Sequence, residues 1–366
     1  MPTACALYGA NAESTQAMQV FVMNEHSRKG RIDGAKPAQA RPTLKTISKE
    51  TGLAVATVSR ALNDAPDIGQ DTKKRVHEVA RQLGYRPNRA GVRLRTGKTN
   101  VISLVISTQH EMVNQHTGRL ISSIAGALRN TPYHMIVTPY FPSEDVMEPI
   151  NYILETGSAD AIIINQTEEK DRRIRHLMDQ KFPFVTHGRT MWADEHAYFD
   201  FDNYRFAQIG VSQFVRRGRR NIAVLAPPSD QYYAHHIVQG ALDAGKAHDI
   251  EVTILDGATS DSTPEEIEEA IIAYRRANPE LDAILSPSTL ACMSITTAME
   301  TFGLRVGRDY DVFGKQTGRF LEQYRPGILS VIEDVHKTGE FLARAALHRI
   351  SHPDAAPMQE LDIPKY

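Results

Sequence analysis

From residue 101 onward, short runs of β-branched and other apolar residues alternate with stretches of helix length. The runs fall at 101–106, 135–137, 161–164, 184–186, 222–225, 252–255, 283–285 and 329–332. A strand covered by helices on both faces reads as a continuous apolar run, so this alternation predicts parallel, doubly wound α/β structure. Roughly 260 residues of such pattern are more than one sheet comfortably holds. Two lobes are therefore expected, lobe one at about 99–200 and 334–351, lobe two at about 201–333.

The segment before this pattern is different in kind. Leu44, Ile47, Leu53, Val58, Ala61 and Leu62 form an apolar set split by Gly52, so 43–51, a turn, and 55–62 read as helix–turn–helix. A third helix is predicted from about 71 to 83, with Val76, Val79, Ala80 and Leu83 on one face, Gly84 as its C-cap and Pro87 stopping any continuation. Charge follows the same division. Residues 41–98 carry 13 Lys and Arg against 5 Asp and Glu, whereas 99–366 carry 25 against 36, so the net −2 of the chain conceals a basic block on an acidic body. Such a block points to nucleic acid.

Other classes are excluded by composition. Two cysteines, Cys5 and Cys292, make neither a disulfide framework nor, without other ligands, a zinc site. No uncharged apolar run approaches the roughly 18–20 residues of a membrane helix. The first 23 residues lack the basic and apolar regions of a signal peptide. A cytoplasmic chain is expected. Residues 1–40 show no sustained periodicity and are read as a disordered extension, with Met23 as an alternative start. Gly91 to Gly97-Lys98-Thr99 only imitates a phosphate loop, having five intervening residues where four are needed. No nucleophile elbow, metalloprotease helix or dinucleotide fingerprint occurs, so no enzyme, cofactor or metal is expected.

The run Thr43 to Asn63 resembles the DNA-binding headpiece of the LacI (lactose/galactose repressor) family. The likeness continues through Gly84-Tyr85-Arg86-Pro87-Asn88, a hinge ending at Leu94, and the body to about residue 350. It implies an all-α helix–turn–helix headpiece (41–86), a hinge helix (87–98), and a two-lobed, periplasmic-binding-protein-like body for effector binding and dimerisation (99–366). The second helix of such a motif enters the major groove with its N-terminal residues at base edges. Those residues are Val55, Ala56 and Thr57, with Arg60 one turn on and able to reach guanine O6 and N7. The remaining DNA-facing candidates are Thr43, Leu44, Lys45, Thr46, Ser59, Asn63, Tyr85, Asn88, Arg89 and Gly91, with Leu94 as a minor-groove wedge. Of these and their neighbours, Lys45, Lys49, Lys73, Lys74, Arg81 and Arg86 are assigned to phosphates. Ala54 and Gly69 stand where the family has N-cap serines, and Gly91 where it often has alanine.

In the body the resemblance places an effector between the lobes, at the carboxyl ends of strands. Asn165 closes one strand, and His187 to Thr190, with Arg189, follow the next. Elsewhere the pocket departs from the family. Its arginine before Gly240 is Ile237, with His235 and His236 beside it. Its Asn-Asp pair is Pro287-Ser288, and its Gly-aromatic-Asp-Asp turn is Gly314-Lys315-Gln316-Thr317. The effector candidates are Asn165, His187, Arg189, His235, His236, Lys315 and Gln316. Two lost carboxylates and a gained lysine favour an anionic sugar derivative over a neutral hexose. The expected function is a homodimeric regulator binding pseudo-palindromic operator DNA, a repressor of carbohydrate-related genes controlled by a sugar or sugar derivative. The alternative is a solute-binding protein of a transport system, which has no use for residues 41–98.

Overall fold

A computed structural model describes residues 42–86, 91, 93, 97–108, 115–141 and 143–366. They fall into two units divided between Pro87 and Asn88.

The first unit has three helices, α1 (Leu44–Thr51), α2 (Val55–Leu62) and α3 (Gln70–Gln82). Thr43 and Thr46 cap the start of α1 reciprocally, each side chain receiving the other's backbone N–H. Gly52, at φ 69°, ends α1 in the left-handed conformation that a side chain would strain. Ile47, Val58, Ala61, Val76 and Ala80 form the buried core, with Leu44, Leu83 and Tyr85 packed against it. Arg75 donates to the Thr51 carbonyl at 2.8 Å, tying α3 to the end of α1.

The second unit holds two parallel sheets. Sheet one contains β1 (Val101–Ser107), β2 (His134–Tyr140), β3 (Ala161–Asn165), β4 (Phe184–His187), β5 (Tyr198–Phe201) and β11 (Gln359–Asp362), in the order β11-β5-β4-β3-β1-β2. Helices α4 (Gln115–Ala127) and α12 (Val335–Ser351) cover one face, α5 (Glu148–Thr156) and α6 (Arg172–Asp179) the other. Alternation along β3 serves both layers, Ile163 packing with α4 and α12 and Ile162 and Ile164 with α5 and α6.

Sheet two contains β6 (Ile222–Val224), β7 (Val252–Ile254), β8 (Ala283–Ser286), β9 (Asp311–Gln316) and β10 (Leu329–Ile332), in the order β10-β9-β8-β6-β7. It lies between α7 (Asn203–Arg216) with α8 (Tyr232–Ala247) and α9 (Pro264–Ala277) with α10 (Thr289–Glu300); α11 (Phe320–Tyr324) follows β9. Gly240 lets α8 meet α7, since a Cβ there would lie 2.3 Å from the Tyr204 carbonyl oxygen.

Three strands escape the apolar-run pattern. Strand β5 is four residues with an acid inside, β9 is broken by Gly314 and Lys315, and β11 is a polar edge. The last corrects the expected end of lobe one at 351. Beyond Ser351 the chain returns to sheet one, where Gln359 to Asp362 pair in parallel with Tyr198 to Phe201. The chain passes between lobes after β5, after β10 and again after β11, where Tyr366 packs on Phe313 of β9. The first two crossings bring Asp200 and Glu333 to the same cleft as the ends of β4 and β9.

Candidate functional site

On the headpiece, burial divides α2 into two sides. Val58 and Ala61 face the core, while Val55, Ala56, Arg60 and Asn63 are exposed and Thr57 and Ser59 half-buried. Arg60 forms an exposed ion pair with Asp67, a contact that water weakens and a base edge can replace. Asn63 Nδ2 donates to the Ser59 carbonyl at 2.5 Å. Thr43 and Lys45 are exposed at the start of α1, with Leu44 and Thr46 half-buried beside them.

Tyr85 packs on the core, and burial raises its phenol pKa. Gly91 is exposed. Asn88, Arg89 and Leu94 lie outside the described residues. Lys73 is not a phosphate contact. It is buried, and its Nζ donates to the Asp64 carbonyl at 3.0 Å, closing the turn before α3. Arg93 is also engaged, donating to the Thr156 carbonyl at 2.7 Å at the end of α5.

In the body, charged side chains from both lobes meet at the strand ends. Asn165 and His187 are register partners at the ends of β3 and β4. Arg189 Nε donates to Asp200 at 2.7 Å, and its Nη2 lies 3.5 Å from His236 Nδ1 across the cleft. Lys315 Nζ sits 2.9 Å from Glu333 Oε2 and 4.7 Å from the centre of the Phe201 ring, with Asn203 Oδ1 at 3.4 Å and the Tyr233 ring at 5.8 Å. Glu333 Oε1 stands 3.4 Å from His116 Nε2 and 3.8 Å from His187 Nε2, and those two imidazoles stack in parallel with centres 5.2 Å apart. The lobes also touch through the Tyr232 N–H, which donates to the Thr167 carbonyl at 2.9 Å.

Burial sets the protonation of this cluster. It raises the Asp200 carboxyl to about 6 despite Arg189. It lowers His236 to about 4, with Arg189 and His235 adding to the effect, and it lowers His187 against the pull of Glu333. Burial also favours the neutral form of Glu333, but Lys315 and the two histidines outweigh it and hold that carboxyl well below its ordinary range. Near neutral pH the centre therefore has two cations, Arg189 and Lys315, each paired with a carboxylate.

That pairing corrects the preference for an anionic effector. The cations that motivated it are already matched by Asp200 and Glu333. Gln316 is likewise withdrawn from the effector set. It is buried, its amide donates to Ser330 Oγ at 2.7 Å, and its carbonyl oxygen accepts from the Leu321 N–H at 2.8 Å. His235 is exposed and stacks on Tyr232. Ile237 is fully buried in the core of sheet two.

The residues that sequence reasoning missed are His116, Asp200, Phe201, Asn203, Tyr233 and Glu333. Two of them carried a signal. Asp200 is an acid between two phenylalanines, and Glu333 directly follows an apolar strand run.

Comparison with known proteins covers both units. Residues 43–88 match the model described as bacterial regulatory proteins, lacI family, and 118–320 match periplasmic binding proteins and sugar binding domain of LacI family. The chain is 33% identical to the HTH-type transcriptional regulator RafR of Escherichia coli over 58% of its own length and 63% of RafR. Two solved structures share the fold. One is a transcriptional regulator CelR–cellobiose complex (TM-score 0.65, 22% identity, 89% of this chain and 98% of that one). The other is the lac repressor dimer bound to operator and the anti-inducer ONPF (TM-score 0.74, 18% identity, 89% and 97%).

Proposed function

The chain belongs to the LacI family of bacterial regulatory proteins, and from that premise we propose that it is a dimeric, cytoplasmic repressor whose operator affinity is set by a neutral sugar bound between its lobes. The observation carrying the DNA half is the exposed strip of Val55, Ala56, Arg60 and Asn63 on a helix whose other side is core. Val55 and Ala56 offer apolar contact to a thymine methyl, and Arg60 offers a bidentate donor to guanine. One headpiece reads few base pairs, so a two-fold dimer on a pseudo-palindrome supplies the rest.

The sugar half rests on the cleft. Its ion pairs present donors and acceptors together, Arg189 with Asp200 and Lys315 with Glu333, which suits hydroxyl groups that both give and accept hydrogen bonds. Tyr233, half-buried, adds an apolar face for a sugar ring. The cellobiose complex of CelR, which shares the fold, supports an oligosaccharide over a single hexose. Asn165 and His187 line the same end of sheet one. A sugar with different affinity for two lobe arrangements shifts the population competent to bind operator.

The test is fluorescence anisotropy with DNA from upstream of the protein's own neighbouring genes, at fixed moderate salt, with and without neutral oligosaccharides. The expected outcome is a specific complex that at least one neutral oligosaccharide changes tenfold or more, while phosphorylated sugars act more weakly. Binding that never exceeds the random-DNA level sinks the repressor reading.

A further inference from the structure

We propose that His116, His187 and Glu333 form a binding site for a divalent metal of the zinc class. The three donors come from the first turn of α4, the end of β4 and the residue after β10, and their ligand atoms lie within 4.8 Å of one another. Two imidazoles and one carboxylate are a recurrent zinc donor set, and N/O ligands of this kind favour zinc, nickel and copper over calcium or magnesium.

The two carboxylate–imidazole distances fit coordination better than hydrogen bonding. Four ligands at the usual zinc distances stand about 3.4 Å from one another in a tetrahedron. Glu333 Oε1 is 3.4 Å from His116 Nε2 and 3.8 Å from His187 Nε2, the first long for a hydrogen bond and the second beyond one. Coordination takes a closure of a few tenths of an ångström by His187 on Glu333 and a tilt of the two rings out of their parallel stack, so that nitrogens now within 4.8 Å of each other converge to about 3.4 Å.

Two further observations point the same way. His187 Nε2 makes no hydrogen bond of normal length, since Glu333 Oε1 stands 3.8 Å away, so its lone pair is open to a metal. The second oxygen of Glu333, Oε2, is held by Lys315 at 2.9 Å. That leaves Oε1 as a single, oriented ligand atom, as hydrogen-bonded metal carboxylates are arranged. Three protein ligands leave a fourth position open for water or a sugar hydroxyl.

Zinc loading shares His187 and Glu333 with the sugar cleft but is measured without DNA or sugar, so the two readings fail separately. The full-length protein, stripped with chelator, is titrated with zinc chloride against a chromogenic competitor, alongside His116→Ala, Glu333→Gln and His348→Ala/His352→Ala. The last variant removes the stacked histidine pair at the end of α12, where zinc is held adventitiously if at all. One ion per chain is expected, with affinity falling about 100-fold or more in His116→Ala and Glu333→Gln and unchanged in the helix-end variant. Cobalt provides a check in the intact protein, since its visible bands report ligands directly and should be lost in His116→Ala while the melting curve stays cooperative. Zinc affinity equal in the wild type and both cleft variants overturns the site, as does the absence of binding at micromolar zinc.

Discussion

The headpiece and the cleft use charge in opposite ways. In the headpiece, Lys45, Lys49, Lys74 and Arg60 stand in water, where each ion costs little and can be given to DNA. In the cleft, Asp200 and Glu333 are nearly excluded from solvent and each holds a cation. Exposed charge supplies attraction without demanding precise neighbours. Buried charge demands a partner, and that partner fixes the geometry of the cleft. Substitutions in the first region should therefore change binding and leave stability alone, whereas those in the second should change both, and with a dependence on pH.

Asp200→Asn is the largest test of that contrast. The Asp200 carboxyl keeps its proton up to about pH 6, against 3.8 for its ordinary value. The folded protein thus binds this proton more tightly than the unfolded chain between about pH 4 and 6. Stability contributed by this group is present below pH 4, falls as pH rises through that window, and is level above 6. The amide variant lacks the slope, so relative to wild type it should gain up to about 3 kcal/mol on going from pH 4 to 7. Its sugar affinity should fall, because Arg189 loses the group that aims it. Urea unfolding of the two proteins across this range decides the matter. Parallel pH profiles would mean that the Asp200 carboxyl binds its proton equally in the folded and unfolded chain.

Arg60→Ala should show the opposite signature. Operator affinity should drop by about 1–3 kcal/mol, with relaxed preference at one base pair per half-site. Unfolding should change by no more than about 0.5 kcal/mol, since the pair with Asp67 is exposed. A randomised operator library is the measurement. Unchanged base preference with weaker overall binding would reassign Arg60 to phosphate.

The same contrast explains what could be read from the sequence. Helix α2 runs from Val55 to Leu62, the span predicted, because Gly52 and the local apolar spacing carry the information. The two-sheet body was legible because buried parallel strands are apolar end to end. The cleft was not, since its partners are remote along the chain. His116 meets Glu333 across 217 positions, and Arg189 meets His236 across 47. No periodicity reports such a pairing. Arg189 was found from its position after a strand and Lys315 from its departure from the family's Gly-aromatic-Asp-Asp turn, but their carboxylates were not. A cation seen without its partner suggested an anionic ligand that the folded cleft does not require.

The smallest expected effect concerns the start of the reading helix, where local chemistry and DNA binding can be separated. Helix α1 has a reciprocal Thr43–Thr46 cap, but α2 begins at Ala54, whose backbone has the extended N-cap conformation (φ −61°, ψ 146°) with no side-chain acceptor. Serine at this exposed position can accept from the N–H of Ala56 or Thr57 without displacing a neighbour. Ala54→Ser should stabilise the headpiece by about 0.5–2 kcal/mol, read as slower amide exchange at Val58 and Ala61 in the full-length protein. The body, a separate unit, should be unaffected. Ala54→Asp should give the same gain in protection, because a carboxylate caps equally well and favours the positive end of the helix. On DNA the two must diverge. Serine is neutral and should leave operator affinity near wild type, while aspartate places a negative charge at the end of α2 proposed to enter the groove and should weaken both operator and random-DNA binding. Equal DNA affinity for the two variants would show that the N-terminus of α2 stays clear of the phosphates, and with it that Val55 and Ala56 do not reach the bases.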